Sequence, residues 1–317
     1  MRRRAALRAL AGGSLLAASP LLVAQIFPGK VTRLIVAFPP GGQSDLIARL
    51  VAQALGEPLG VTVVVENRSG ASGLIGVEVA AHAPADGSTL LLGSASNLTI
   101  APALDTRLPY DPVRDFVCIG RVARLPLVLA IRAGLAVANM TQLVERARQN
   151  PGALTYASGA TLVQFAIESL KASAGVDILQ VPYSGTAPAL QDVLAGRVDL
   201  LVADAPAIAA YASAGAVRVI ANAGLTRSHL FPNIPTMTEQ GFDLVFESWQ
   251  GLLAPKGTPR ESISQLQRAL QRALASSEFR NALQRLGAEP IEEPPAAFEP
   301  FLREELEKYR RLASARK

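Results

Sequence analysis

Leu34-Ile35-Val36-Ala37-Phe38 is an apolar run that stops at Pro39-Pro40-Gly41-Gly42, after which apolar residues recur at Leu46, Ile47, Leu50, Val51, Ala54 and Leu55. The run predicts a strand, and the three- and four-residue spacing predicts a helix whose one face packs back on that strand. Ser44 stands where the helix N-cap is expected. The first amides of a helix lack intrahelical partners and sit at the positive end of its dipole. Backbone over residues 41–45 can therefore form a cup for an anion, and the glycines permit close approach. A plain strand-to-helix turn is the alternative reading.

The alternation repeats along the chain. Residues 62–66 read as a strand, followed by Gly70, Gly73 and Gly76 and a helix running toward Ala83. These glycines do not make the dinucleotide fingerprint G-x-G-x-x-G, because position 68 is arginine. A strand over 89–93 ends in Ser94-Ala95-Ser96-Asn97, which either caps a turn into 98–104 or meets a ligand. Residues 116–131 read as a long strand that bends or changes sheets near Pro126, the first crossing between domains. Asn139 is expected to cap a helix halted at Asn150-Pro151-Gly152. Strands over 154–156, 178–181 and 198–202 then lead into Ser158-Gly159-Ala160-Thr161, Pro182-Tyr183-Ser184-Gly185-Thr186 and Ala203-Asp204-Ala205-Pro206. After a strand at 217–221, a loop with Pro232, Pro235 and Gly241 returns to residues 247–254, the second crossing. Thr258-Pro259-Arg260-Glu261 has the form of a capping box with proline at the first helical position, and two further helices over 277–286 and 296–313 finish the chain. Such alternation predicts parallel sheets, with ligands beyond the carboxyl ends of the strands, where each polar cluster falls.

Composition narrows the possibilities. At 317 residues, 50% hydrophobic and 18% charged, the chain has room for about two packed domains. Its start differs: Arg2, Arg3 and Arg4 precede an apolar run over 5–24 broken by Gly12, Gly13 and Pro20, the order of an export signal cleaved after Ala24. Arg8 and the breakers leave too short a run to span a membrane, and the paired arginines hint at twin-arginine export without a full motif. Removing Arg2, Arg3, Arg4 and Arg8 takes the net charge from +5 to +1, which does not point to nucleic acid. Arginines and glutamates of the last helices read as solvated faces, as do Glu292 and Glu293 in their proline-rich loop, and Cys118 reads as a small buried hydrophobe. His82 and His229 have no metal-ligand spacing, and no G-x-S-x-G elbow occurs. No catalytic residue, metal or cofactor is expected. What remains is a concave site of amides, Ser, Thr, Asn and Tyr, suited to holding a small anion without changing it.

Residues 34–45, Val65-Glu66-Asn67-Arg68, Pro84-Ala85-Asp86-Gly87, Leu108-Pro109-Tyr110-Asp111-Pro112, Val181-Pro182-Tyr183 and Gly251-Leu252-Leu253-Ala254-Pro255 together resemble the substrate-binding proteins of tripartite tricarboxylate transporters, the TctC-like or Bug-type group. The resemblance spans nearly the whole chain after the signal. It implies an α/β, two-lobed, periplasmic-binding-protein-like fold of type II, each lobe a mostly parallel sheet flanked by helices, with two chain crossings. The corresponding divisions are a signal peptide at 1–24, a first lobe at 25–125, a second at 126–247 and a return to the first at 248–317. The implied function is periplasmic capture of a small carboxylate and its delivery to membrane permease subunits. The protein would be a monomer that closes by hinge motion, with no enzymatic activity and no nucleic-acid partner. A sensor partner in place of the permease, or an enzyme of the same shape, are the alternatives.

The ligand-binding residues expected on this basis are Phe38, Pro40, Gly41, Gly42, Gln43, Ser44, Asp45, Ser94, Ser96 and Asn97 in the first lobe. In the second they are Ser158, Gly159, Ala160, Thr161, Tyr183, Gly185, Thr186 and Asp204. In the family, the loops matching 41–45 and 158–161 hold the carboxylate, partly through ordered water. The second loop departs from the family pattern of glycine, Ser or Thr, a small polar residue and histidine, reading Gly159-Ala160-Thr161-Leu162-Val163-Gln164. The cup at 41–45 is therefore expected to carry more of the affinity. Asp204 lies two residues ahead of Pro206, where the family often has three, and either accepts from a ligand amide, hydroxyl or ammonium or caps the following helix.

Overall fold

The structure, a computed structural model, describes residues 31–314 apart from Ala160 and Ser184. The export signal expected over 1–24 lies outside the described residues, as does Ala160 of the candidate site.

The apolar run forms β1 (Val31–Val36), and Leu34, Ile35 and Val36 are fully buried because helices cover both faces of their sheet. Helix α1 (Gln43–Leu59) connects β1 to β2 (Thr62–Asn67), and α2 (Leu74–Ala81) leads on to β3 (Thr89–Ser94). A π-helical turn at Ser96–Ile100 runs into the single helical turn α3 (Ala101–Leu104) and then β4 (Phe116–Leu125). Pro126 separates β4 from β5 (Leu127–Arg132), which belongs to a second sheet; proline has no N–H to continue a ladder. The second sheet is built with α4 (Met140–Gln149), β6 (Thr155–Ser158), α5 (Thr161–Ala174), β7 (Leu179–Pro182), α6 (Thr186–Leu194), β8 (Leu200–Asp204), α7 (Ala205–Ser213) and β9 (Val217–Asn222). The chain returns through β10 (Ser248–Pro255), α8 (Arg260–Ala275), α9 (Ser277–Arg285), the short β11 (Glu289–Pro290) and α10 (Phe298–Ser314).

Among the described residues the first sheet has the order β11-β4-β10-β3-β1-β2 and the second β7-β6-β8-β5-β9. Strands β1, β2 and β3 are parallel, as are β6, β7 and β8, but β10 and β5 run against both of their neighbours. The departures from the parallel expectation fall on strands that carry the chain across and on the short edge strand β11, which runs against β4. A strand that enters its sheet at the end where the others finish must run antiparallel to them. Helices α1, α8 and α9 cover one face of the first sheet and α2 with the start of α10 the other. In the second sheet α4 and α5 cover one face, α6 and α7 the other.

Several local expectations are corrected. Asn139 does cap α4, its side chain accepting from the Gln142 amide at 2.9 Å. Thr258 does not make a capping box: its hydroxyl donates to the Pro255 carbonyl at 2.8 Å, and Pro259, extended at ψ 136°, precedes α8 instead of starting it. Glu293 is not solvated; it pairs with Arg121 at side-chain exposures of 14% and 15%, while Glu292 on the surface meets Arg280. Helix α10 is not confined to the first sheet. Its apolar stripe places Phe298 and Leu302 beside Trp249, then Tyr309 beside Phe165 in the second core, so one amphipathic helix joins both. Cys118 is partly buried, and burial pushes its thiol up to about 12.

Candidate ligand cleft

Beyond β1 the chain turns sharply at Gly41, whose φ of +81° suits glycine and strains a residue with a Cβ. Helix α1 begins at Gln43 with Gly42 as N-cap, so Ser44 is not the cap expected from its type. The reason lies in Asp45, at the third helical position, whose carboxylate reaches back to accept from the Gly41 amide at 2.9 Å. Arg49 donates to the same carboxylate from Nε and a terminal nitrogen at 3.0 and 3.1 Å, and Asn67 Nδ2 at 3.0 Å. Burial raises the Asp45 pKa, yet the bonds from Arg49, Gly41 and Asn67 and the Arg49 charge outweigh it and hold the carboxyl below its usual range. Asp45 thus faces inward and braces the cup; it was expected to touch ligand, and its oxygens are already engaged. Asn67 also donates to the Phe38 carbonyl at 3.1 Å, fixing the loop from its other end.

The cup keeps donors free. The first amide of this turn to find a backbone acceptor is Leu46, on the Gly42 carbonyl at 3.0 Å, which leaves the N–H groups of Gly42, Gln43 and Ser44 without a backbone acceptor. Ser44 Oγ accepts from Gln250 Nε2 at 2.7 Å, so its own proton is available to a ligand. Gln250 was not foreseen. It is 2% exposed, lies directly across the ladder from Ser94, and leaves its Oε1 without a partner. The available signal is one amide within an otherwise apolar strand. The Gln43 side chain is spent on the Leu286 carbonyl at 3.0 Å.

Ser94, Ser96 and Asn97 are brought together at the end of β3. Asn97 Oδ1 accepts from the Ser94 amide at 2.9 Å and the two serine hydroxyls are 2.9 Å apart, which is the capped-turn reading. Asn97 Nδ2, however, is buried with no partner. It faces Gly73 and Phe38, since a Cβ on Gly73 would stand 3.0 Å from Nδ2 and 3.3 Å from Phe38 Cζ. Gly76, the third of the glycines in that loop, lets α2 approach β1: an added Cβ would sit 2.7 Å from Ala37 Cα and 2.8 Å from the Arg68 carbonyl. That close approach accounts for the glycine without a dinucleotide.

In the second sheet, Ser158 ends β6 and accepts from the Tyr183 amide at 2.9 Å. A Cβ on Gly159 would lie 2.6 Å from the Gly185 carbonyl carbon, so the loops around 158–161 and 183–186 are stacked. Thr161 and Thr186 open α5 and α6. The Tyr183 hydroxyl donates to Asp192 at 2.7 Å, itself paired with Arg197, and so braces α6 rather than pointing a free donor into the cleft. Asp204 occupies the N-cap position of α7 without capping it through its side chain. Its carboxyl is raised above the usual range by burial, only partly offset by a bond from its own backbone.

The two sets of loops meet along the segment after α9. Leu286 receives Gln43, a Cβ on Gly287 would overlap the Pro206 ring, and Glu289 accepts from His229 through both the backbone amide (3.0 Å) and Nδ1 (2.9 Å). His229 is exposed at the surface, and these bonds tie it to the first sheet. Among the described residues no cluster of His, Cys, Asp and Glu could hold a metal, and no helix is long and apolar enough to cross a membrane.

Two α/β lobes whose strand-end loops face each other, one presenting unpaired amides, define the architecture of a two-lobed solute-binding protein. The chain belongs to the tripartite tricarboxylate transporter receptor family, which residues 47–317 match. BugT of Bordetella pertussis is 34% identical over 290 residues, 90% of this chain and 89% of BugT. Among solved structures, an R. palustris protein with adipate is 33% identical, covering 90% of this chain and 97% of that one, with a TM-score of 0.75. MatC from Rhodopseudomonas palustris with bound malate is 29% identical, covering 90% and 100%, TM-score 0.72. A TctC solute-binding protein from Polaromonas with no ligand is 26% identical, covering 91% and 99%, TM-score 0.82. These are binding proteins and not enzymes, and membership of the family implies a periplasmic location.

Proposed function

We propose that the protein captures a small carboxylate between its two lobes and, as a monomer, delivers it to the permease of a tripartite tricarboxylate-type transporter. The observation that carries this reading is the cup at residues 42–44, where amides without a backbone acceptor and the Ser44 proton can offer a carboxylate the hydrogen bonds it loses on leaving water. The adipate and malate held by the relatives support the ligand class. The closer superposition on the unliganded relative, in spite of lower identity, supports an open arrangement of the lobes here. Ligand should then bring them together by rotation at the crossings. Trp249 is fully buried against Phe298 and Phe301 and is a poor reporter of that motion, so compaction is best followed by small-angle scattering.

Ser44→Ala removes a donor to a charged group and leaves Gln250 unpaired, which should weaken the co-purified carboxylate by about 10- to 150-fold. Thr161→Ala should weaken it less, because residues 162 and 163 add no side-chain donors to that loop. Titration calorimetry gives the order, and a larger loss at Thr161 would move the principal anchor to the second lobe. We also propose that residues 1–24 are removed on export. The intact mass of periplasmic protein should correspond to a chain starting at Gln25, whereas a full-length mass in the membrane fraction contradicts cleavage.

A further inference from the structure

We infer that the ligand is a carboxylate whose far end is a cationic or hydrogen-bond-donating nitrogen, an amino-acid-like zwitterion and not a dicarboxylate. The inference rests on the carboxylate reading above and concerns Asp204. Strand β8 lies between β6 and β5, and the pairs Tyr156↔Leu200 and Ala157↔Leu201, continued along the parallel strands, bring Val202 and Ala203, the two residues before Asp204, level with Ser158 and Gly159. Across the ladder Asp204 opposes Leu127, the first strand residue after the crossing. Pro206, two residues on, packs on Gly287, while the adjoining Leu286 holds Gln43 at the first position of α1. Two consecutive residues of the connector therefore join the anion cup on one side to Asp204's turn on the other.

The charges on this seam are unequal. On the first-lobe side Arg49 is matched with Asp45, Arg68 with Glu66, Arg121 with Glu293 and Arg124 with Glu289, while Arg285 at the end of α9 is exposed to solvent. Among the described residues no arginine, lysine or histidine pairs with Asp204, and its only hydrogen bond is from its own backbone. A partly buried carboxylate in that position lacks the partner such groups ordinarily have. A ligand held by its carboxylate in the cup can supply one. An ammonium or amide reaching Asp204 gains a charge-assisted bond, while a second carboxylate meets a like charge where water is scarce. Burial, which already lifts the Asp204 pKa, is relieved by a cation and aggravated by an anion.

Matched pairs of probes test the inference, each a diacid beside an ω-amino acid of nearly the same length: succinate with 4-aminobutyrate, glutarate with 5-aminopentanoate, adipate with 6-aminohexanoate. Calorimetry near neutral pH on the signal-free chain should show the amino member of the best-fitting pair bound at least about 10-fold more tightly. Asp204→Asn should erase that ratio without lowering the melting temperature, since the asparagine oxygen can still accept the one bond Asp204 takes from its own backbone. Diacids that bind more tightly than their partners, or a ratio indifferent to Asp204→Asn, overturn the inference while leaving the carboxylate reading intact. Hexylamine binding as well as 6-aminohexanoate would instead remove the carboxylate reading itself.

Discussion

Asp45→Ala is expected to lower the melting temperature by roughly 6 to 12 °C, the equivalent of about 3 kcal/mol in a domain of this size. The carboxylate is 2% exposed and receives bonds from Gly41, Arg49 and Asn67, so its loss leaves several donors without an acceptor at once. Arg49 is half exposed and can turn to water, which keeps the cost below that of a fully buried pair. Ligand affinity should fall as well. Removing a negative charge near the cup would favour an anion, but Arg49 already neutralises that charge, and the freed Gly41 amide no longer fixes the turn that aims residues 42–44. Geometry therefore outweighs charge. Thermal melts together with calorimetry check both effects, and a stable variant with unimpaired binding would show that the cup is braced elsewhere.

The parts of this arrangement that were legible in the sequence are those set by neighbours in the chain. The apolar run before Pro39 could only be a buried strand, Pro126 had to interrupt a ladder, and Asn139 had a free helix end in front of it. Ser44 misled because glycine can also stand at an N-cap, and Asp45 took over the capping by reaching backward. The rest depends on register between distant segments. Gln250 meets Ser44 across 206 positions, and Glu289 meets His229 across 60, with no local pattern to announce either. The path of α10 through both cores was hidden for the same reason. Its stripe shows that one face is buried, but not that two different cores bury it.

Glu289→Ala is expected to cost about 3 kcal/mol near neutral pH and to loosen the contact between the lobes behind the cleft. Glu289 is 7% exposed and accepts from the His229 amide and ring on one side and from Arg124 Nε at 2.8 Å on the other, so a single carboxylate ties the 229 loop to the strand that leads into the first crossing. Burial alone would raise its pKa, but the bonds from His229 and the charge and hydrogen bond of Arg124 prevail and leave it below the ordinary value. A carboxyl depressed on folding contributes stability that is present above its unfolded pKa of about 4.3 and is lost as the pH falls through the folded value. The difference in melting temperature between wild type and Glu289→Gln should therefore be constant from pH 7 down to about 5 and shrink in more acid solution. His229→Ala should cost less than Glu289→Ala, since the residue 229 amide keeps its bond to the carboxylate. If His229→Ala proves the costlier of the two, the link between the lobes runs through the imidazole ring and not through the carboxylate that now gathers its partners.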